Sequence, residues 1–126
     1  QNELHHEVSD LGPSEYVEDD DYPDYVFPLT QKVKESDDNR GIVICKNGIG
    51  VSIAANRVPG IRCGVGYNIS AAETMMTDDN TNVLALAAHG VSDEFALSIV
   101  KKWIETSFSG DERHVRRLKK VEEMER

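Results

Sequence analysis

The segment IVICKNGIGVSIAANRVPGIRCGV, residues 42–65, decides the fold. It begins within a continuous apolar run, Gly41–Cys45, which is typical of a strand buried on both faces of a parallel sheet. Small and apolar residues at Gly50–Val58 predict a short helix, which Pro59 ends. A second strand is predicted at Ile61–Tyr67. Strand, helix and strand in this order form a βαβ unit, so the segment predicts a parallel sheet.

Helices and strands alternate on both sides of this segment. We predict a strand at His6–Gly12 and, from apolar residues at helical spacing, a helix at Tyr22–Ser36. The sequence SAAE, Ser70–Glu73, matches a capping box and predicts that a helix starts at Ser70. The remaining predicted elements are that helix through Met76, a strand at Asn82–Ala88, a helix capped by Ser92 and a last helix from His114 to the C-terminus. The chain is therefore predicted to form one α/β domain over residues 1–126.

The composition argues against several classes of protein. A chain of 126 residues with 39% hydrophobic and 29% charged residues is long enough for one folded domain. The net charge of -9 argues against general nucleic-acid binding, which requires an excess of Lys and Arg. No apolar run approaches the roughly 20 residues of a membrane span, and the start of the sequence lacks the pattern of a secretory signal. We therefore expect a cytoplasmic protein that binds neither nucleic acid nor membranes.

Of the two cysteines, Cys45 is the more informative. Cys45 and Cys63 form no CxxC pair, so neither a disulfide scaffold nor a zinc site is indicated. Cys45 ends a predicted strand, at the edge where open α/β sheets bind ligands. The turn after it leads into a helix whose first N–H groups can stabilise a thiolate or a developing oxyanion. The alternative is structural: a buried thiol, and glycines at positions 48 and 50 that only satisfy the geometry of the turn.

Two polar segments further along the chain are candidates for ligand binding. The motif RHVRR puts Arg113 and Arg117 four residues apart, on one face of a helix, where both can contact one phosphate. The alternative is a solvated basic face that balances the acidic sequence downstream. The segment TDDNTN, Thr77–Asn82, places carboxylates and amides before a predicted strand, where they could contact a ligand. The alternative is an ordinary capped loop without a function in binding.

Four blocks of sequence, in this order, resemble one family of enzymes. They are DYPDY at 21–25, GIVIC-x-x-GIG-x-SIAANRVPGIR at 41–62, NVLALAA at 82–88 and FSG-x-x-RHVRR at 108–117. The chain thereby resembles the ribose-5-phosphate isomerase B and galactose-6-phosphate isomerase family of sugar-phosphate isomerases. The resemblance implies a Rossmann-like parallel sheet with flanking helices, a three-layer sandwich and a C-terminal helix. It further implies a homodimer or tetramer with active sites at the subunit interface, and neither a metal nor an organic cofactor.

The resemblance also assigns roles to individual residues. Cys45 matches the base that moves a proton between C1 and C2 of an open-chain sugar through a cis-enediolate. Asn47, Gly48 and Gly50 match the turn that stabilises the enediolate, although the family has glycine and threonine where this chain has Lys46 and Asn47. Asp78 aligns with the ring-opening histidine of the family. The positions matched to binding of the sugar and its phosphate are Asp79, Asn80, His89, Arg113, His114 and Arg117.

The expected function is that of an aldose–ketose isomerase acting on a sugar phosphate, with ribose 5-phosphate as the expected substrate. The alternatives are a non-catalytic phosphosugar-binding or scaffold protein of the same fold and, with less support, a thiol-dependent redox or acyl-transfer enzyme. The family has a strand ending in Ser-Asp-His-Ala-Gly and a helix before the position that matches Gln1. We therefore expect this chain to be an N-terminally shortened form.

Overall fold

Within the residues that the structure describes, four helices flank a three-stranded parallel sheet, and a fifth helix follows them. The computed structural model describes residues 6–11 and 21–125. In chain order the elements are α1 Pro23–Val33, β1 Gly41–Cys45, α2 Ile49–Asn56, β2 Cys63–Val65, α3 Ile69–Thr77, β3 Val83–Ala87, α4 Asp93–Glu105 and α5 Glu112–Glu123. Among the described residues, none of the helices combines the length and the apolar character needed to cross a bilayer.

The sheet has the strand order β1-β3-β2, with all strands parallel. Cys45 pairs with Ala87 at one edge, and Gly41 and Cys63 both pair with Val83 at the other. The carboxyl ends of the strands therefore lie together, and the loops that lead into the strands lie at the opposite, amino edge. The two edges are separated by the length of a five-residue strand, about 15 Å between the ends.

Each face of the sheet carries one hydrophobic cluster. On one face, α1 and α2 pack against alternate strand residues such as Val43, Val83 and Ala85. On the other face, α3 and α4 pack against Leu84 and Leu86. Because successive strand residues point to opposite faces, the continuous apolar run of β3 supplies both clusters. The predicted α/β fold, a parallel sheet between two helical layers, is confirmed.

The structure corrects two of the predicted elements. Residues 6–11 form no strand; Gly12, the predicted end of that strand, lies outside the described residues. Ser70 does not cap α3: Asn68, in extended conformation, accepts a hydrogen bond from the Ala71 N–H at 2.7 Å. Asn68 is a better cap because its backbone is extended, whereas Ser70 already lies inside the helix. Ser92 caps α4 as predicted, accepting from the Phe95 N–H at 3.2 Å.

The C-terminal helix α5 contacts the rest of the described chain mainly through its first turn. His114 is its buried residue, whereas Val115, Val121 and Met124 are exposed. The helix begins two residues earlier than predicted, at Glu112. Leu118 is half-buried, so most of the apolar surface of this helix is exposed in the single chain.

Candidate active site

The thiol of Cys45 lies at the carboxyl end of β1, half-buried, next to the first turn of α2. The Gly48 N–H donates a hydrogen bond to Cys45 Sγ at 3.2 Å. The sulfur therefore faces a backbone donor and the start of α2, where the helix dipole is positive. Asn47 Oδ1 lies 3.8 Å from the same sulfur.

Gly48 is required by the geometry of this turn. Its φ of 77° lies in the left-handed region, and a Cβ on it would come within 3.2 Å of the Leu86 carbonyl carbon. The close approach of two backbone segments therefore depends on the missing side chain. Asn47 completes the turn, because its Oδ1 accepts a hydrogen bond from the Ile49 N–H at 3.0 Å. The same oxygen lies 3.8 Å from Cys45 Sγ, so Asn47 presents an acceptor to the thiol.

Gly50 provides room for an aromatic ring that the sequence motifs did not identify. A Cβ at Gly50 would lie 2.8 Å from the ring of Tyr22, which is 45% exposed. The phenol of Tyr22 therefore packs against the glycine turn at Gly50. Tyr22 belongs to the DYPDY block, which marks its importance but not its contact with Gly50.

The loop after β3 is bonded to the loop after β1. The Ala88 N–H donates to the Cys45 carbonyl at 2.8 Å, and the His89 N–H donates to the Lys46 carbonyl at 3.1 Å. His89 is exposed and lies beside the turn that carries the thiol. The candidate residues that meet at the carboxyl edge are therefore Cys45, Asn47, Gly48, Gly50 and His89.

The other candidate residues lie at the amino edge of the sheet. Asp78 ends α3, and Asp79 and Asn80 follow it in the loop that leads into β3. Within one chain they are separated from Cys45 by the length of β3, about 15 Å. The sequence predicts that all these residues belong to one site, whereas the parallel register of the strands places them in two groups at opposite edges of the sheet.

His114 joins α5 to this second group. Its side chain is 8% exposed; Nδ1 lies 2.9 Å from Ser109 Oγ, and Nε2 lies 3.7 Å from Asp78 Oδ1. Asp78 also accepts a hydrogen bond from the Thr77 hydroxyl at 2.9 Å. Arg113 and Arg117, on the first two turns of the same helix, are exposed. The imidazole is thus enclosed by protein groups, whereas both arginines are exposed and Arg113 Nη2 lies 3.9 Å from Asp111 Oδ2.

The remaining titratable groups limit the chemistry of the site. Burial raises the pKa of the Cys63 thiol to about 12, so this thiol remains protonated at neutral pH. Cys63 also begins β2 at the amino edge, far from the glycine turn. Across residues 6–11 and 21–125, no three His, Cys, Asp or Glu side chains are grouped so that they could hold a metal ion. Cys45 is therefore the thiol available for chemistry at the carboxyl edge.

Fold and site together define a Rossmann-like α/β protein with a thiol and a glycine turn at the carboxyl edge of its sheet. The model of the Ribose/Galactose Isomerase family matches residues 1–121, and the chain belongs to this family. It is 32% identical to ribose-5-phosphate isomerase B of Mycolicibacterium paratuberculosis, over 96% of this chain and 76% of the relative. It is 33% identical to D-erythrulose-4-phosphate isomerase of Pectobacterium atrosepticum, over 82% of this chain and 68% of the relative.

A solved relative carries a ligand. Ribose-5-phosphate isomerase B of Mycoplasma genitalium, with bound ribulose-5-phosphate, superposes with a TM-score of 0.92 at 37% identity. The match covers 98% of this chain and 82% of that one. The expected family and the Rossmann-like fold are therefore both confirmed.

Proposed function

We propose that this protein is an aldose–ketose isomerase that interconverts ribose 5-phosphate and ribulose 5-phosphate through a cis-enediolate. The observation that carries the proposal is the Cys45 thiol, held at the carboxyl end of β1 with the Gly48 N–H at 3.2 Å from its sulfur. Membership of a family that includes isomerases of sugar phosphates gives this thiol its reaction. We further propose that residues 1–126 act as one domain and that the protein works in the cytoplasm, where its two free thiols would remain reduced.

In the proposed mechanism, Cys45 transfers a proton between neighbouring carbons. The thiolate removes the proton from C2 of the open-chain aldose, the C1–C2 bond gains double-bond character, and negative charge develops on the C1 oxygen. A proton passes from the C2 hydroxyl to the C1 oxygen within the enediolate, and the same sulfur then returns the carbon-bound proton to C1, which leaves a carbonyl at C2 and a hydroxyl at C1. Donors fixed before the reaction stabilise the developing charge best, because they need no reorganisation. We propose the Asn47 amide and the N–H groups in the first turn of α2 as such donors.

The substrate phosphate is assigned to the basic face of α5. Arg113 and Arg117 are exposed and lie four residues apart on the helix. Asp79 and Asn80 are the proposed sugar contacts, and His89 adds a donor at the carboxyl edge. We infer that His114 has a positioning role, since its nitrogens already face Ser109 and Asp78.

A complete site requires two chains. The base at the carboxyl edge and the arginines near the amino edge are too far apart to contact one pentose phosphate within a single chain. We therefore propose a homodimer in which each site combines the carboxyl edge of one subunit with Asp78–Asn80 and α5 of the other. The exposed Ile49 and Ile53 on α2, each 53% exposed, supply apolar surface for such an interface. A tetramer built from two such dimers is the larger alternative.

A second candidate function is binding of a phosphosugar without turnover. It is favoured by Asp78, the residue assigned to ring opening, which accepts from Thr77 and lies 3.7 Å from His114. A carboxylate engaged in this way can accept a proton but cannot donate one at neutral pH. In that case the arginines and the glycine turn would bind ligand, and no proton would move between C1 and C2.

The test is the conversion of ribose 5-phosphate to ribulose 5-phosphate by the wild type and by Cys45→Ala. We expect Cys45→Ala to lower kcat by about 10²- to 10⁴-fold, the usual contribution of a general base. Cys63→Ala is the matched control, because it removes the other thiol, at the opposite edge of the sheet, and should retain wild-type turnover. Absence of turnover in the wild type, combined with saturable binding of ribulose 5-phosphate, would replace the isomerase by the binding protein.

A further inference from the structure

A second concave surface lies at the amino edge of the sheet, away from the Cys45 turn. It is a cavity of about 530 Å³ between the loops that lead into β1, β2 and β3. Its lining includes Lys34, Arg40, Gly60, Arg62, Asn82 and also Asn80, which is a proposed sugar contact as well. This volume lies within the range of pockets that hold small organic ligands. We call it the basic cavity.

The basic cavity concentrates positive charge in an acidic protein. Lys34, Arg40 and Arg62 all line it, in a chain whose net charge is -9. Within the described ranges of the chain, none of the three lies within 4.0 Å of a carboxylate oxygen. Asp37 also lines the cavity and Glu125 contacts its rim at Gly60, which leaves a surplus of one positive charge. Cations without a protein counter-ion attract an anionic ligand.

Arg40 is held in place by groups that leave most of its donors free. Its guanidinium carbon lies 5.5 Å from the centroid of the Trp103 ring, and Nη1 donates to Met76 Sδ at 3.2 Å. Sulfur is a weak acceptor, so the guanidinium keeps most of its hydrogen-bonding capacity. Burial lowers the pKa of Arg40, because water around the charge has been removed. A bound anion would compensate for this loss of solvation.

Arg62 and Lys34 are oriented from the opposite side of the cavity. Arg62 Nε–H donates to the Asn80 carbonyl at 2.6 Å, which fixes the plane of its guanidinium. The stem of Lys34 passes over Gly60, with Cε 3.6 Å from where a Gly60 Cβ would stand. Two planar guanidinium groups and one ammonium therefore line the same cavity from different segments of the chain. A guanidinium group can donate two parallel hydrogen bonds to phosphate oxygens, and an ammonium group adds a compact positive charge. The three side chains therefore suit a phosphoryl group.

The rim of the basic cavity already binds a carboxylate of the same chain. Both side-chain oxygens of Glu125 lie 3.2 Å from the backbone nitrogen of Gly60. The contact joins residues 65 positions apart, so it is not imposed by local chain geometry. A backbone N–H on this rim is therefore able to donate to a carboxylate.

We propose that the basic cavity is a binding site for a small phosphorylated anion, separate from the Cys45 site, with Lys34, Arg40 and Arg62 as the phosphate ligands. The bound phosphoryl group accepts hydrogen bonds from the two guanidinium groups and the ammonium. Because Arg62 also holds the Asn80 carbonyl, the ligand acts on the loop that carries Asp78 and Asp79. The cavity thus has a direct contact with the amino-edge half of the proposed catalytic site.

The test is calorimetric titration with inorganic pyrophosphate in the Arg113→Gln/Arg117→Gln background, which removes the proposed phosphate ligands of the catalytic site. We expect saturable binding with one site per chain, and Lys34→Gln to weaken it by about tenfold, the loss of one charge-assisted contact. Lys34 is exposed, so its substitution should leave the fold intact, which circular dichroism checks. Lys32→Gln is the matched control, since Lys32 lies on the same helix and pairs with Glu35 at 3.5 Å. Its affinity should stay within about twofold of the background.

Three results would overturn the proposal. The first is the absence of saturable pyrophosphate binding in that background. The second is an equal loss of affinity in Lys34→Gln and Lys32→Gln, which would indicate diffuse attraction instead of a site. The third is a raised KM for ribose 5-phosphate in Lys34→Gln alone, which would make the cavity part of the substrate site.

Discussion

At the scale of single residues, the turn from Cys45 to Gly50 combines a reactive group with the backbone that controls it. The N–H that bonds the thiol belongs to Gly48, the same residue whose left-handed backbone lets the turn approach β3. The shape of the turn and the hydrogen bond to the thiol therefore both depend on Gly48. A substitution there should disturb both at once.

Gly48→Ala should lower the free energy of unfolding by more than the conformational penalty alone. A left-handed alanine costs about 1 kcal/mol, and the new Cβ would also meet the Leu86 carbonyl carbon at 3.2 Å. We expect a total loss of about 2–3 kcal/mol, measured by urea denaturation. Gly90→Ala is the matched control, because Gly90 has a φ of 75° with no neighbouring atom within 4 Å. Equal losses of unfolding free energy in the two variants would mean that the close contact of Gly48 with β3 does not affect stability.

Much of this turn could be predicted from the sequence, because its residues are contiguous. An apolar run, a cysteine and spaced glycines identify a strand, its carboxyl end and a turn into a helix without knowledge of the rest. Tyr22 could not be identified in the same way, since its contact with Gly50 joins parts of the chain 28 positions apart. His114 was expected among the ligands of phosphate; its burial depends on how α5 packs, which the basic motif does not encode.

At the scale of elements, the ends of the helices and strands were harder to predict than their presence and type. The apolar strands and the amphipathic α4 are strong signals, because their burial patterns follow the periods of the backbone. The predicted cap at Ser70 was wrong because two polar residues compete near one helix start and only backbone conformation decides between them. The strand predicted at 6–12 is absent from residues 6–11, since a strand needs a neighbour and a sequence pattern does not provide one.

His114→Ala should loosen α5 without unfolding the sheet. The imidazole is the buried side chain of that helix and contacts Ser109 and Asp78, so its removal takes away the main attachment of the first turn. We expect amide hydrogens of α5 to exchange at least about tenfold faster, while those of α4 keep their rates. Arg116→Ala, an exposed substitution on the same helix, serves as the reference. Unchanged protection of α5 in His114→Ala would show that other contacts hold the helix.

At the scale of the whole molecule, the sheet separates the two halves of the proposed site. Cys45 and its turn lie at one edge, and Asp78, Asp79 and the basic helix lie toward the other. No sequence motif could reveal this division, because it follows from the parallel pairing of β1 with β3. Two chains related by a twofold axis would place each half opposite its complement.

Two inactive variants should therefore restore activity when they are mixed. Cys45→Ala damages one half and Arg113→Gln/Arg117→Gln the other, so a mixed dimer has one site built from intact halves. Random reassortment after denaturation and refolding of an equimolar mixture should recover about a quarter of wild-type turnover. A mixture of Cys45→Ala with Asn47→Ala, two lesions in the same half, should stay inactive. If the first mixture also showed no turnover, each site would have to be built within one chain.

Because the proposed site is divided between opposite edges of the sheet, its specific activity should depend on the concentration of the protein. A catalyst contained in one chain keeps its specific activity on dilution, whereas a shared site disappears when the chains dissociate, as mass action requires. The association constant between subunits would then set a threshold of expression. Below that threshold the cell would hold a folded polypeptide with no flux, and above it the rate would rise faster than the amount of protein made.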